Sequence, residues 1–468
     1  MYNLLGCRQQ RWAKVHCIFL LFCFFFYCYR DLNFYLWQTI AQTYMYVIPV
    51  LIICFYFYFI GLKGPIEIKL IWGYGLCLFV TRILNGDIWL QNDFSRIYEF
   101  VFLAMFLTPG LLLEPEKRKK FLVIVSIGTS LLFTVISVIG IYAAIFKTGV
   151  VNPFSPSETI VDIYGGSRLF AFGSNPNVSA PWFFISFWML IYLFVVYRHW
   201  IIRTLIILVA YLNYTAICLT YSRNVFVGLS VSLSLLAGLV VYRLLEKHKL
   251  RLRVLCLVLT LCVTLPLSYL LAEQNYFLYE SISDNFSSAS VSSPISQIDD
   301  PSDIAVSQDD SSGTAPTSRG FEDNGRFEIY LAVFKALGAQ PSQLIFGNLA
   351  DQAMDIVNQM IPPPKEGPVV IHPHAHNSYL HVLLTTGLSG FLFMMAFLVA
   401  LLLRMLKLYF CSLKSVKLEQ QILIMPLAGI MLYNLLETSL FVHFDFRAIY
   451  FMLIAGALIA HSIELNKN

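Results

Sequence analysis

Stretches of about twenty predominantly apolar residues recur along the whole chain, and that length is what an α-helix needs to cross the hydrocarbon core of a bilayer. They lie near residues 15–30, 39–60, 70–88, 97–113, 121–146, 171–197, 201–220, 224–242, 252–272, 376–403, 419–440 and 446–462. The first is short and rich in Phe and Cys, as a secretory signal would be. It lacks a small-residue cleavage site before Arg30 and Asp31, so it reads as a helix. The expected architecture is an all-α polytopic membrane protein with about 12 transmembrane helices. A soluble fold is excluded by composition: 58% of the residues are hydrophobic and 13% charged, where soluble domains carry about 25% charged residues. A net charge of +4 gives no reason to expect a nucleic-acid partner.

The lysines and arginines orient these helices. Of the 32 basic residues, 21 fall in alternate connections beginning with the N-terminal segment: Arg8, Arg11 and Lys14, then Lys63 and Lys69, then Lys117–Lys120, and so on to Lys467. Cytoplasmic loops hold the excess of Lys and Arg, so both termini are expected in the cytoplasm. A miscounted helix would invert the alternation downstream, and it does not invert. Eight of the eleven exceptions are arginines: Arg30, Arg82, Arg96, Arg168, Arg223, Arg319, Arg326 and Arg447. Snorkelling at helix ends accounts for most of them. About three are expected to build an outward-facing anion site, since guanidinium makes forked contacts with phosphate. The ten cysteines all lie in predicted helices or cytoplasmic segments, and no disulfide is expected.

Three divisions follow: helices 1–9 over 1–272, a large extracytoplasmic loop over 273–375, and helices 10–12 over 376–468. Within the loop, residues 281–320 hold thirteen Ser, six Asp and a single aromatic, Phe286. Such a composition cannot bury a core, so this part reads as a disordered acidic insertion without chemistry. From Phe321 the character changes. Phe327, Tyr330, Leu331, Phe334 and Leu337 repeat at helical spacing, Asp323 or Asn324 is placed to cap the start, and Gly338 and Pro341 mark the end. An ordered part over 321–375, with an amphipathic helix lying along the outer membrane surface, is the expectation.

Three places in this chain suggest chemistry. Arg326 opens the loop helix in "NGR", Arg223 sits in the polar island "LTYSRN" between two apolar runs, and His376 with Asn377 begins the tenth helix. Charge near membrane depth is expensive, which makes such arginines functional candidates. A His with a near-neutral pKa beside a helix start suits acid–base work, although a lone interfacial His is more often a surface hydrogen-bonding residue. His372, His374 and His376 alternate, as three ligands on one side of an extended segment would, but Pro373 interrupts them and no carboxylate or thiol is near in sequence. No metal site and no cofactor are expected. Glu437, the most notable charge within a predicted helix, reads as a helix-end residue facing water, close to a second polar cluster of His443, Asp445 and Arg447.

Four segments carry a family resemblance. "HAHNSYLHVLLTTGLSGFLF" resembles the end of the outer loop and the following helix in the O-antigen ligase family of bacterial polysaccharide enzymes. "NGRFEIYLAVFKAL" with the later "LIFG" resembles the Arg-bearing amphipathic helix before it. "LTYSRNVFVGLS" resembles the family's Ser-Arg junction, and "GGSRLFAFGSNPNVSAPWFF" its Arg–Gly–Asn-Pro-Asn lead into a helix. Each motif is loose alone; the four occur in the family's order, on the expected side of the membrane, over about 165–395.

The resemblance implies a metal-independent glycosyltransferase of the bacterial cytoplasmic (inner) membrane, its active site facing the periplasm or cell exterior. The donor would be a glycan on undecaprenyl diphosphate, and the acceptor either lipid A–core sugar (a ligase) or a second carrier-linked glycan (a polymerase), among membrane lipids. A few members glycosylate protein instead. Arg223 and Arg326 would hold the diphosphate, and His376 would act as base toward the acceptor hydroxyl or stabilise the reacting geometry. Arg168 matches more loosely and would complete the phosphate site, with Asn377 and His374 beside the substrate. Elementary chemistry agrees: diphosphate leaves readily, so cations on the developing charge and one base near the acceptor suffice. The competing reading is a lipid-linked oligosaccharide transporter without catalysis. Transporters bury ionisable groups at the midplane and show two related halves, and neither is evident in this sequence.

Overall fold

In the computed structural model the described residues are 7–32, 64–84, 100, 103–152, 155–164, 168–171, 176–290, 326–339, 341–347, 350–361, 375–411, 416–438, 440 and 446–466. The expected helix at 39–60, most of the Ser/Asp-rich insertion, both proposed caps at 323–324, and His372, His374, His443 and Asp445 lie outside them. Seven described helices are long and apolar enough to span a bilayer: α4 (Pro115–Phe146), α5 (Pro176–Val196), α6 (Trp200–Thr220), α7 (Arg223–Leu244), α8 (Leu250–Ser290), α12 (Ser378–Phe410) and α15 (Phe446–Leu465). Two others, α1 (Cys7–Leu32) and α2 (Ile66–Leu84), are long and carry charged residues toward both ends. The short α3 (Thr108–Leu112) and the pair α13 (Leu418–Ile422) and α14 (Ile424–Tyr433) complete the bundle, and the loop holds α9 (Arg326–Ala339), α10 (Pro341–Phe346) and α11 (Ala350–Met360). The chain is thus a multi-pass, predominantly helical membrane protein.

The long helices sort polar groups to two ends of the bundle, and α12 and α15 finish at the same one, where Arg404 donates to Ser462. At one end the basic residues pair: Arg118 with Glu464 at 2.7 Å, Lys119 with Glu419 and Arg404 with Glu67, both at 2.8 Å. The other end holds α9–α11, the starts of α7 and α12, and a feature absent from the all-α expectation. Residues between α4 and α5 form a three-stranded antiparallel sheet, β1 (Val150–Asn152), β2 (Ser155–Tyr164) and β3 (Arg168–Ala171), in the order β1-β2-β3. Val161, Leu169 and Ala171 turn one face inward. Leu169 lies against Gly140 of α4, and the Ser179 hydroxyl donates to the Ala171 carbonyl at 2.9 Å, so the sheet caps the bundle.

Three other expectations change. Helix α8 runs to Ser290 rather than 272, so residues 281–290 are helical, and Ser283 bonds the Ala144 carbonyl at 2.9 Å. Helix α14 ends at Tyr433 rather than 440, leaving 434–438 as a turn. The loop does not simply lie along the membrane surface. Gly347, at φ +73°, packs backbone to backbone against Gly387, at φ +63°, which breaks the helical path of α12. Gly387 lies nine residues into α12, about 13 Å along its axis. The loop therefore dips beside α12, where a Cβ at either glycine would meet main-chain atoms at 2.4–2.5 Å.

Small residues bring α7 onto α14. Gly228 faces Gly429, where a Cβ would meet the Gly429 oxygen at 2.9 Å, and the Ser232 hydroxyl donates to the Met425 carbonyl at 2.8 Å. Close packing of this kind replaces the hydrophobic driving force that lipid does not supply between helices. One helical turn beyond Gly228 stands Asn224. Overpacking costs about 1–3 kcal/mol, so Gly228→Leu should lower the thermal midpoint of the detergent-solubilised protein by several degrees. An unchanged midpoint would show that this approach is not tight.

Candidate active site

Arg326, the first residue of α9, is the pivot of the polar end. Its Nη1 donates to Asn224 Oδ1 at 3.2 Å and its Nη2 to Glu437 Oε1 at 3.3 Å. Asn224 Nδ2 in turn donates to the same carboxylate oxygen at 3.0 Å. Three segments far apart in sequence (the start of α7, the start of α9 and the turn after α14) thus meet in one hydrogen-bonded triangle. Glu437 is buried rather than water-facing, at 8% exposure. Burial pushes its carboxyl above the usual carboxylate range, against the opposing pull of Arg326, Arg447 and the Asn224 amide.

The turn carrying Glu437 is fixed by its neighbours. The Ser378 amide donates to the Asn434 and Glu437 carbonyls, each at 3.0 Å, and its hydroxyl to Asn434 Oδ1 at 2.6 Å. Asn377 is the N-cap of α12: its Oδ1 accepts from the Tyr379 and Leu380 amides at 2.9 and 3.1 Å, while its Nδ2 donates to the Leu435 carbonyl at 2.9 Å. Expected beside the substrate, Asn377 thus gives its side-chain amide to the fold. His376, half-buried at the mouth of α12, holds φ +48°, a left-handed conformation rare outside glycine. Its carbonyl accepts from the Tyr330 hydroxyl of α9 at 3.1 Å, so the loop helix is pinned at Arg326 and again one turn on.

The other expected arginines adjoin this triangle. Arg223, the residue before Asn224, places its guanidinium over the Tyr221 ring, 5.7 Å from the centroid. Tyr221 caps α6 at φ +46°, stacks on Tyr276 and donates its hydroxyl to Glu273 at 3.1 Å. Arg168, the first residue of β3, donates to the Thr220 and Tyr221 carbonyls at 3.2 and 3.3 Å and reaches Asn177 Oδ1 at 3.5 Å. Asn177 also accepts from Ser222 Oγ at 2.9 Å, and its carbonyl from the Tyr433 hydroxyl at 3.2 Å. Arg447 completes the chain, donating to Tyr433 at 3.1 Å. Arg326 and Arg447 thus act on the buried Glu437 carboxylate, while Arg168 and Arg223 gather at the α6–α7 junction near Glu273, a concentration of guanidinium groups suited to a polyanion.

Arg168, Arg223, Arg326, His376 and Asn377 are thus gathered at one end of the bundle. Sequence reasoning left Asn224, Tyr330 and Asn434 unmarked. It noted Glu437 and Arg447 without joining them to the arginines, although a Glu and an Arg on either side of the connection between the last two apolar runs are a charge pair in waiting. Among the described residues no cluster of three or more His, Cys, Asp or Glu is placed to hold a metal ion.

Losing an N-cap costs about 1 kcal/mol. Asn377→Ala should lower thermal stability by that amount, and Asn377→Asp, which keeps the accepting oxygen, should recover much of it. Equal stability of all three proteins would remove the capping role.

Residues 206–395, from within α6 to the middle of α12, match the family model described as O-antigen ligase. The matched span holds Arg223, Asn224, Arg326, Tyr330 and His376, and stops before Glu437. No curated protein matches the chain. The matched segment contains most of the polar cluster, and over it the chain is similar to the O-antigen ligase family.

Proposed function

We propose that the protein transfers a glycan from undecaprenyl diphosphate to an acceptor sugar, either lipid A–core or a second carrier-linked glycan, at the outer face of the bacterial cytoplasmic membrane. The observation that carries this reading is the docking of Arg326 onto Asn224, which brings the loop arginine to the residue that follows Arg223 although 102 residues separate Arg326 from Asn224. Two guanidinium groups at one bundle end supply what a departing diphosphate requires: fixed positive charge in a partly dehydrated setting, in place before the bond breaks. Arg168 and Arg447 extend the positive border. The pairing of Arg118, Lys119 and Arg404 at the opposite end supports an orientation with that end in the cytoplasm.

The reaction needs no covalent intermediate. The acceptor hydroxyl attacks the anomeric carbon as the diphosphate leaves from the opposite face, so the new linkage is inverted relative to the donor. His376 and Glu437, both beside Arg326's helix, are groups able to receive the hydroxyl proton.

The test is transfer by purified protein in lipid nanodiscs supplied with a carrier-linked glycan, with and without a core-type acceptor. Product that requires the lipid core identifies ligation, and a ladder of longer carrier-linked chains identifies polymerisation. Removing one charge-stabilising donor costs about 100–1,000-fold in rate, so Arg326→Ala and Arg223→Ala should each lose that much. Lysine should restore little at either position, because it lacks the forked geometry. Movement of the intact carrier-linked glycan across the bilayer with no new glycosidic bond would replace transfer by transport.

A further inference from the structure

The anion site contains a carboxylate, which is the wrong charge for it. Glu437 occupies the guanidinium of Arg326 and the amide of Asn224 through a single oxygen, Oε1, at 3.3 and 3.0 Å. Its charge is felt by Arg447 as well. An electrostatic site for diphosphate alone would be stronger without it. The carboxylate is also rigidly placed, since both carbonyls bracketing its turn, those of Asn434 and Glu437, accept from the Ser378 amide. The other acid–base group at the cluster, His376, is tied to α9 through its main-chain carbonyl.

We propose that Glu437 is the base that receives the acceptor's hydroxyl proton, and that the donor's diphosphate activates it by drawing Arg326 away. The inference rests on glycan transfer as the reaction. Before the donor arrives, the hydrogen-bonded guanidinium holds down the basicity that burial confers on the carboxylate. The diphosphate competes for Arg326 and brings negative charge close by, and both changes raise the proton affinity of Glu437. Burial already biases the group that way. The base therefore becomes effective only when a donor is in place.

The step balances. The acceptor oxygen forms its bond to the anomeric carbon, and the bond from that carbon to the diphosphate oxygen breaks. The electron pair leaves with the diphosphate, held by the arginines. The hydroxyl proton passes to the Glu437 carboxylate and returns to water when the products leave.

The experiment measures kcat and both KM values for the full chain in nanodiscs, comparing wild type with Glu437→Gln, Glu437→Asp and Glu437→Ala. Glutamine keeps an oxygen that accepts from Asn224 and Arg326 but is not basic. General-base removal costs about 100–10,000-fold, so Gln should lower kcat by at least ~100-fold with the donor KM unchanged or reduced. Asp should recover at least ~10-fold over Gln, and added formate should raise the rate of Glu437→Ala with increasing concentration. Formate rescue also answers the case in which Gln merely perturbs the fold. The proposal is overturned if Gln keeps kcat within ~3-fold of wild type, since a hydrogen-bond anchor would survive that change. It is equally overturned if Gln is impaired but neither Asp nor formate restores turnover. A wild-type protein that forms no glycosidic bond would remove the transfer reading itself, an outcome distinct from an active wild type with an active Gln variant.

Discussion

One hydrogen-bonded triangle, Asn224–Arg326–Glu437, joins the parts of this protein that the proposed chemistry would use. Burying a carboxylate costs several kcal/mol unless its partners are well placed, and an unpaired buried charge is more costly still. The pairing therefore acts as a registry device: the loop helix has a well-satisfied position only where its first guanidinium meets both Glu437 and Asn224. Tyr330, one turn further along, gives a second anchor on the main chain of His376. The site exists as a unit because the loop cannot leave without exposing a buried charge to an apolar setting.

The triangle depends in turn on contacts deep in the bundle. Gly228 against Gly429, and Ser232 against the Met425 carbonyl, set the separation of α7 and α14. That separation fixes where Asn224 stands relative to the turn of Glu437. On the far side, Arg168 spans the sheet and the α6–α7 junction, so the strands between α4 and α5 brace the same corner. Side chains that touch no substrate thus decide the spacing of those that would.

Much of this was legible in the sequence, for a physical reason. Apolar runs long enough to cross a bilayer have few alternative structures, and α4–α8, α12 and α15 fall where the runs lie. The extent of α9, Arg326–Ala339, was legible from the capping types Asp323 and Asn324 before it and from Gly338 and Pro341 at its end. The inward face of α9 was not. Phe327, Leu331 and Phe334 carry its most obvious apolar spacing, yet they are exposed, while Ile329, Ala332, Val333 and Leu337 are buried. Beside a membrane, apolar residues serve the lipid-facing and the core-facing sides equally, so periodicity alone cannot choose between them. The sheet was missed because β1 and β3 are only three and four residues long and the Ser-Pro-Ser-Glu-Thr start of β2 shows no apolar alternation. Glu437 was visible but misread, because a charge near a helix end gives no sign of a guanidinium 111 residues earlier.

The central claim is that the arginines around this triangle bind the donor diphosphate. The measurement that meets it most directly is a structure of the protein in nanodiscs with undecaprenyl-diphosphate-linked glycan bound. The account predicts the diphosphate within hydrogen-bond distance of Arg326 and Arg223, with Glu437 released from Arg326 and facing the anomeric carbon. Density for the diphosphate elsewhere, with Arg326 still held by Glu437 and Asn224, would contradict it.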